Sequence, residues 1–195
     1  QEGEAERGQG QVPLQGDGAG PGQERGVREV RGVAGLPGGP GRELKLFEYQ
    51  LEGLNWLRFA WKNRRHVILG DEMGLGKTIM TIAYFKSLLE EGHAQHPHLL
   101  IVPLSTLGNW ERELDLWAPD LYYVTFAGNA KSRDTMKCYE LGLSVGNKPQ
   151  TTRPKFNILL TTYENVLAES STMQKFTWAC VVVDEGHRLK NKESK

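Results

Sequence analysis

The sequence predicts an α/β fold built on a mostly parallel sheet, with a Gly-rich disordered tail in front of it. Three observations carry that prediction. From residue 43 onward, short apolar runs alternate with helical stretches, the pattern of strands joined by crossover helices. Most of these runs are nearly continuous, as strands covered on both faces must be. A Gly-rich turn ending in Lys-Thr, "GDEMGLGKT" at 70–78, separates an apolar run from a helical one.

Residues 1–41 hold 13 of the 23 glycines, four arginines, and no aromatic residue or lysine. Such a stretch cannot bury enough apolar surface to offset the entropy of ordering, so residues 1–42 are read as a disordered tail and 43–195 as the globular part. In "ELKLFEYQLEGLNWLRFAWKN" (43–63), Phe47, Leu51, Leu54, Leu57 and Trp61 share one helical face. Gly53 inside that helix costs about 1 kcal/mol relative to alanine. Strands are expected at "HVIL" (66–69), "HLLIVP" (98–103), "LYYVTF" (121–126), "FNILLTT" (156–162) and "ACVVVD" (179–184). Helices are expected over 77–90, 105–117, 131–141 and 163–169, and "GNKPQTTRP" (146–154) reads as a polar loop.

Charge and composition exclude several classes. Lys+Arg and Asp+Glu both number 24, so a nucleic acid would have to be held by local basic patches. No apolar run approaches the roughly 20 residues that span a bilayer, and the N-terminus lacks the pattern of a secretory signal. Cys138 and Cys180 cannot form a disulfide framework and read as small core hydrophobes in a reducing compartment. His93, His96 and His98 are closely spaced, but no fourth ligand accompanies them, and a solvated loop is the favoured reading.

The chemistry is concentrated in two motifs. In "VILGDEMGLGKT" the order is strand, Gly-containing loop, Lys, Thr, helix. Loop N–H groups and a helix N-terminus can surround a triphosphate, and Gly74 and Gly76 let the backbone approach it. Lys77 would bring positive charge to the β- and γ-phosphates, and the Thr78 hydroxyl would face Mg²⁺. Asp71 occupies the position of the first glycine of the strict phosphate-loop pattern, with Gly70 one place early. The nucleotide-binding candidates are thus Asp71, Gly74, Leu75, Gly76, Lys77 and Thr78. The second motif, "ACVVVDEGHRLKN", ends a strand with Asp184 and Glu185, beyond the carboxyl end where α/β sheets hold ligands. Asp184 would hold Mg²⁺ through water, and Glu185 would orient and deprotonate the attacking water. The competing reading is an acidic pair capping a turn. His187 is either a sensor of the γ-phosphate or a polar residue packed at the strand end, the second being favoured.

"YQLEGLNWL", "DEMGLGKT", "PLSTLGNWERE", "TTYE" and "DEGHRLKN", in this order, resemble Swi/Snf-type chromatin-remodelling ATPases of the superfamily-two helicase fold. The resemblance is nearest to the chromodomain-helicase-DNA-binding subfamily and covers about residues 43–195. It implies a RecA-like P-loop lobe using ATP and Mg²⁺, with double-stranded DNA, nucleosomes and a second ATPase lobe as partners, and a nuclear location. It further implies that Gln50 recognises adenine, and that Lys77, Asp184 and Glu185 are catalytic. Ser105, Thr106, Thr161 and Thr162 match motifs that touch DNA phosphates; strand-end and helix-capping hydroxyls are the alternative. Gly186 stands where the family's acidic box has alanine, and Gly70 where alanine commonly precedes the loop.

Trp110 and Trp117, seven apart, read as one helix's core face rather than a base-stacking platform. Arg188, Lys190 and Lys192 form a basic run, read equally as a solvated face or a DNA-facing patch. Nothing resembles the family's later first-lobe motifs or its second lobe, whose arginines are worth about 10³–10⁵ in rate in related systems. The expectation is a partial first lobe that binds nucleotide weakly, hydrolyses it negligibly and exposes a sheet edge. The alternatives are a non-catalytic fragment that binds nucleotide or DNA, and an unrelated P-loop kinase. The kinase leaves Gln50, "PLSTLGNW" and "TTYE" without a reason to occur together.

Overall fold

The computed structural model describes residues 36–37, 43–143 and 154–190. Apart from Leu36–Pro37, the tail lies outside the described residues, as do residues 146–153 of the polar loop and Lys192 of the basic run. Two short strands, β1 (Leu36–Pro37) and β2 (Glu43–Leu44), pair antiparallel. Helices α1 (Glu48–Lys62) and α2 (Lys77–Glu90) follow. Then come β3 (His98–Val102), α3 (Leu107–Trp117), β4 (Tyr123–Phe126) and α4 (Ala130–Tyr139). The chain continues through β5 (Ile158–Thr162), α5 (Tyr163–Ala168), α6 (Ser170–Met173) and β6 (Cys180–Val183) to a 3₁₀ turn at Gly186–Lys190.

Strands β4, β5, β3 and β6 form, in that order, a four-stranded sheet in which every pairing is parallel. The two inner strands explain why their sequences lack alternation. Leu100 and Val102 of β3 face a core shared with α1, α2 and α3, whereas Leu99 and Ile101 face a second core with Phe126, Leu159 and Met173. All five residues of β3 and of β5 are buried. A strand covered twice can only be apolar throughout. Among the described residues β6 pairs on one side only, with β3, and Val181 is 51% exposed, the open edge the sequence led us to expect.

One expected strand is absent. Residues 66–69 form no ladder with any described strand, and Ile68 is 90% exposed. A β-strand exists only where its backbone groups find a neighbour. Apolar character at Val67, Ile68 and Leu69 supplies no such partner. The phosphate-loop motif therefore follows a segment without regular secondary structure here, not a strand.

Helices α1 and α2 lie side by side in the same direction. Gln50 meets the turn before α2, Gly53 meets Met80, and Trp61 meets Tyr84 edge-on at 6.4 Å. Gly53 is a spacing device: a Cβ there would stand 2.6 Å from the Met80 sulfur, so its helix-propensity cost secures close packing. At the far end the buried Arg58 donates to both carboxylate oxygens of Glu91, at 2.6 and 2.8 Å. The sequence face was right at Leu51, Leu54, Leu57 and Trp61, which pack on the core, but Phe47 precedes the helix and is 66% exposed. Trp110 and Trp117 are both buried in the core, as expected.

His98 departs from its expected solvated setting. It opens β3, is fully buried, stacks on Phe85 at 4.6 Å, and neither ring nitrogen has a hydrogen-bond partner. Burial alone pushes its pKa down from 6.5 to about 4. The folded chain thus binds fewer protons than the unfolded chain between those values. The stability His98 permits is complete above pH 6.5 and is lost as the pH falls toward 4. At about 1.4 kcal/mol per pH unit, this loss amounts to about 3 kcal/mol. Urea unfolding of wild type and His98→Leu across pH 4–7 should show the variant gaining about that much relative to wild type at the acid end. A gap that does not change with pH would show that His98 does not titrate on unfolding.

Candidate functional site

The phosphate-loop motif runs into the start of α2, and the acidic motif follows β6. The chain leaves α2 at Glu90 and enters β3 at His98, yet Phe85 already stacks on His98, so α2 runs backward along the strands. Tyr84 packs in the same core cluster as Cys180, the first residue of β6. From Tyr84 back to Lys77 is about 10 Å of helix, and from Cys180 on to Asp184 is about 13 Å of strand. Asp184 thus lies just beyond the carboxyl end of β6, the side on which open α/β sheets bind ligands.

The loop before α2 is shaped by left-handed backbone at Gly74 (φ 87°) and Gly76 (φ 83°). Gly76 caps α2 and, having no side chain, offers no capping acceptor to the first-turn N–H groups. Those N–H groups face outward from a helix N-terminus, the natural seat of an anion. Lys77 folds over the loop, its amine donating to the carbonyls of Asp71 (2.7 Å) and Glu72 (2.8 Å). This places a cation among the loop carbonyls, which a phosphate oxygen can replace as the acceptor. Thr78 is half-buried in the first turn of α2, and Leu75 is 38% exposed.

Gln50 is nearly buried, and its amide is engaged at both ends. Its oxygen accepts from the Phe47 N–H at 3.0 Å, and its nitrogen donates to the Leu75 carbonyl at 3.2 Å. It braces the first turn of α1 against the phosphate loop. Beside it Tyr49, Trp56, Ile68, Leu69, Asp71 and Leu75 line an open groove of about 590 Å³.

The acidic pair is held from several directions. The Asp184 N–H donates to the Ile101 carbonyl, continuing the β3–β6 ladder. Its Oδ1 accepts from the Glu185 N–H at 3.0 Å, and its Oδ2 from the Trp110 indole N–H at 2.9 Å. The Tyr163 hydroxyl donates to the Asp184 carbonyl. Glu185 sits at φ 52°, a left-handed conformation that costs a non-glycine residue on the order of 1–3 kcal/mol and tends to be found at functional sites. His187 is exposed, not packed, and its Nδ1 lies 3.1 Å from the Glu185 carboxylate. A Cβ at Gly70 or Gly186 would meet nothing within 4 Å, so packing does not require glycine at either position.

The hydroxyls matched to DNA contacts divide into two groups. Ser105 is exposed and Thr106 is half-buried at the start of α3, its hydroxyl donating to the Pro103 carbonyl. Thr161 is fully buried and donates to the Phe126 carbonyl, while Thr162 is buried and caps α5 by accepting from Asn165. Those last two serve as strand-end and capping hydroxyls here. Sequence reasoning missed Trp110 and Tyr163 as partners of Asp184. Heptad spacing marks Trp110 as core, and nothing in spacing says where an indole N–H points.

The donor set suits a hard divalent cation. Thr78 and Asp184 offer oxygen only; among the described residues no group of three or more His, Cys, Asp or Glu gathers into a metal site. Mg²⁺ commonly binds through one or two carboxylates plus substrate phosphates. The crowding at Gly76 is testable. A Cβ there would stand 2.3 Å from the Gln50 amide nitrogen, and left-handed backbone costs alanine roughly 1–2 kcal/mol. Gly76→Ala should lower stability to urea by about 2 kcal/mol and shift the Gln50 side-chain amide resonance; an unmoved resonance would remove the brace.

Comparison with known proteins agrees with this architecture. The SNF2-related domain family model matches residues 49–195. The chain is 48% identical over 163 residues to the CHD3-type chromatin-remodeling factor PICKLE of Arabidopsis thaliana, covering 77% of this chain and 12% of that protein. It is 44% identical over 158 residues to the Chromodomain-helicase-DNA-binding protein 3 homolog of Caenorhabditis elegans, covering 76% and 9%. The chain thus spans only a small fraction of the curated relatives it matches. Among solved structures, the Sulfolobus solfataricus SWI2/SNF2 ATPase core in complex with dsDNA superposes with a TM-score of 0.63 at 34% identity, covering 77% of this chain and 28% of that one. With its motifs in register and its sheet in the same fold, this chain belongs to the SNF2-related domain family.

Proposed function

We propose that this chain is the nucleotide-binding part of an ATP-dependent DNA translocase that acts on chromatin in the nucleus. The observation that supports the reading is a pair of charged motifs: Lys77 at the start of α2, folded over the Gly-rich loop, and Asp184 just past the carboxyl end of β6, its carboxylate held by neutral donors. Its substrate is ATP. The backbone N–H groups of 74–78 and the first turn of α2 take the β- and γ-phosphates, with Lys77 exchanging its carbonyl partners for phosphate oxygens. Tyr49 and Trp56 line the groove into which the base fits, and Gln50 reads it from the edge. Mg²⁺, when bound, neutralises developing charge on the phosphates, and Thr78 and Asp184 are the residues that hold it. Glu185 accepts the proton of the attacking water.

Double-stranded DNA is the second ligand, contacted along its backbone by the start of α3, where Ser105 is exposed. Nucleosomes and a second ATPase lobe are partners of the complete motor in this reading. Among the described residues no helix is long and apolar enough to cross a membrane.

Binding of a fluorescent ATP analogue with Mg²⁺ tests the nucleotide reading. Removing the Lys77 charge with Lys77→Ala should weaken it at least about tenfold, the scale of a lost charge-assisted hydrogen bond. Equal binding by both proteins would refute a phosphate role for Lys77. DNA affinity should fall steeply with salt, because phosphate contacts release counterions; flat dependence would remove backbone tracking from the proposal.

A further inference from the structure

The carboxylates of this chain are held in two ways: Asp184, like Glu111, Asp115 and Glu140, receives neutral donors, whereas others receive cations. Asp120 lies 2.6 Å from Lys86, Glu91 is bonded to Arg58, and Glu169 receives both Arg133 and Lys137. Each of those negative charges is matched by a side-chain cation. Among the described residues, the side-chain partners of Asp184 are neutral: the Glu185 backbone N–H on Oδ1 and the Trp110 indole on Oδ2. An ionised carboxylate has about four lone-pair sites, so one remains on each oxygen. The side chain is oriented, yet its charge is left for another cation.

The Trp110 contact is also long-range and specific. It joins α3 to the end of β6 across 74 residues of sequence. A buried indole N–H needs an acceptor, and a backbone carbonyl would serve. Trp178 takes that option, donating to the Met173 carbonyl at 3.0 Å. Trp110 instead sits 4% exposed with its ring in the core and its N–H on the carboxylate that ends the strand. Indole has a single donor and no acceptor, so the bond fixes Asp184 without competing for a cation.

We propose that Trp110 is the positioning residue of the divalent-cation site: its indole N–H holds Oδ2 of Asp184 so that the carboxylate presents its remaining lone pairs to Mg²⁺. The role rests on Asp184 being the magnesium carboxylate, as proposed above. Partners that orient a metal ligand in this way are typically worth about 10–100-fold in metal affinity. Asp184 could rotate in the absence of the indole, held only by its own turn.

The test uses the full chain with ¹⁵N-labelled tryptophan, wild type and Trp110→Phe, which keeps a ring in the core and removes the donor. Each is titrated with Mg²⁺ in the presence of ADP, and affinity for ADP without Mg²⁺ is measured separately. In wild type the Trp110 indole resonance, one of five, should move as Mg²⁺ binds. In Trp110→Phe the Mg²⁺ midpoint should rise about tenfold, with Mg²⁺-free ADP affinity within about twofold. A merely structural tryptophan would weaken both together or neither. A folded variant with the wild-type midpoint overturns the role, as does a wild-type indole resonance that saturating Mg²⁺ leaves in place. Should Trp110→Phe fail to fold, the wild-type resonance decides, and Asp184→Asn must abolish its Mg²⁺-dependent shift. Wild type that binds no ADP overturns the nucleotide reading and this role with it; ADP binding with an unaltered midpoint overturns the role of Trp110 alone.

Discussion

Parallel pairing of β6 with β3 decides where the acidic turn of this chain lies. In a parallel ladder neighbouring strands end on the same side, and here the ladder continues one residue further through the bond from the Asp184 N–H to the Ile101 carbonyl. Strand direction thus sets the acidic turn just past the carboxyl end of β6, before any side chain is considered.

Helix α1 adds a second constraint. It lies along α2 because Gly53 admits the Met80 sulfur, and it is pinned at its two ends by polar contacts: Gln50 on the Leu75 carbonyl and Arg58 on Glu91. A buried Arg–carboxylate pair is weak evidence of stability, because desolvation offsets much of its attraction, but it is costly to break and so enforces alignment. Alignment matters at the other end, where Gln50 packs against Gly76 with no room for a Cβ. The phosphate loop inherits its position from the helix beside it.

Around Asp184 the chain separates support from charge. Tyr163, from the segment after β5, holds the main-chain carbonyl, and Trp110, from α3, holds the side chain. Neither brings charge. Trp110 lies in α3, which begins just after Ser105 and Thr106, and Tyr163 opens α5 directly after Thr161 and Thr162.

The amino-acid order alone determined the helix at 77–90, the strands at β3, β4, β5 and β6, the buried face shared by Trp110 and Trp117, and the membership of Lys77 and Asp184 in two distinct motifs. These depend on periodicity and on local residue chemistry, which a linear string displays. Only the tertiary structure decided that residues 66–69 form no ladder, since a strand is a property of two segments and not of one. It likewise decided that His98 is enclosed rather than solvated, that Thr161 and Thr162 spend their hydroxyls inside the fold, and that the Trp110 indole reaches Asp184. Each of those outcomes depends on which distant atom lies within about 3 Å, and no spacing along the chain encodes that distance.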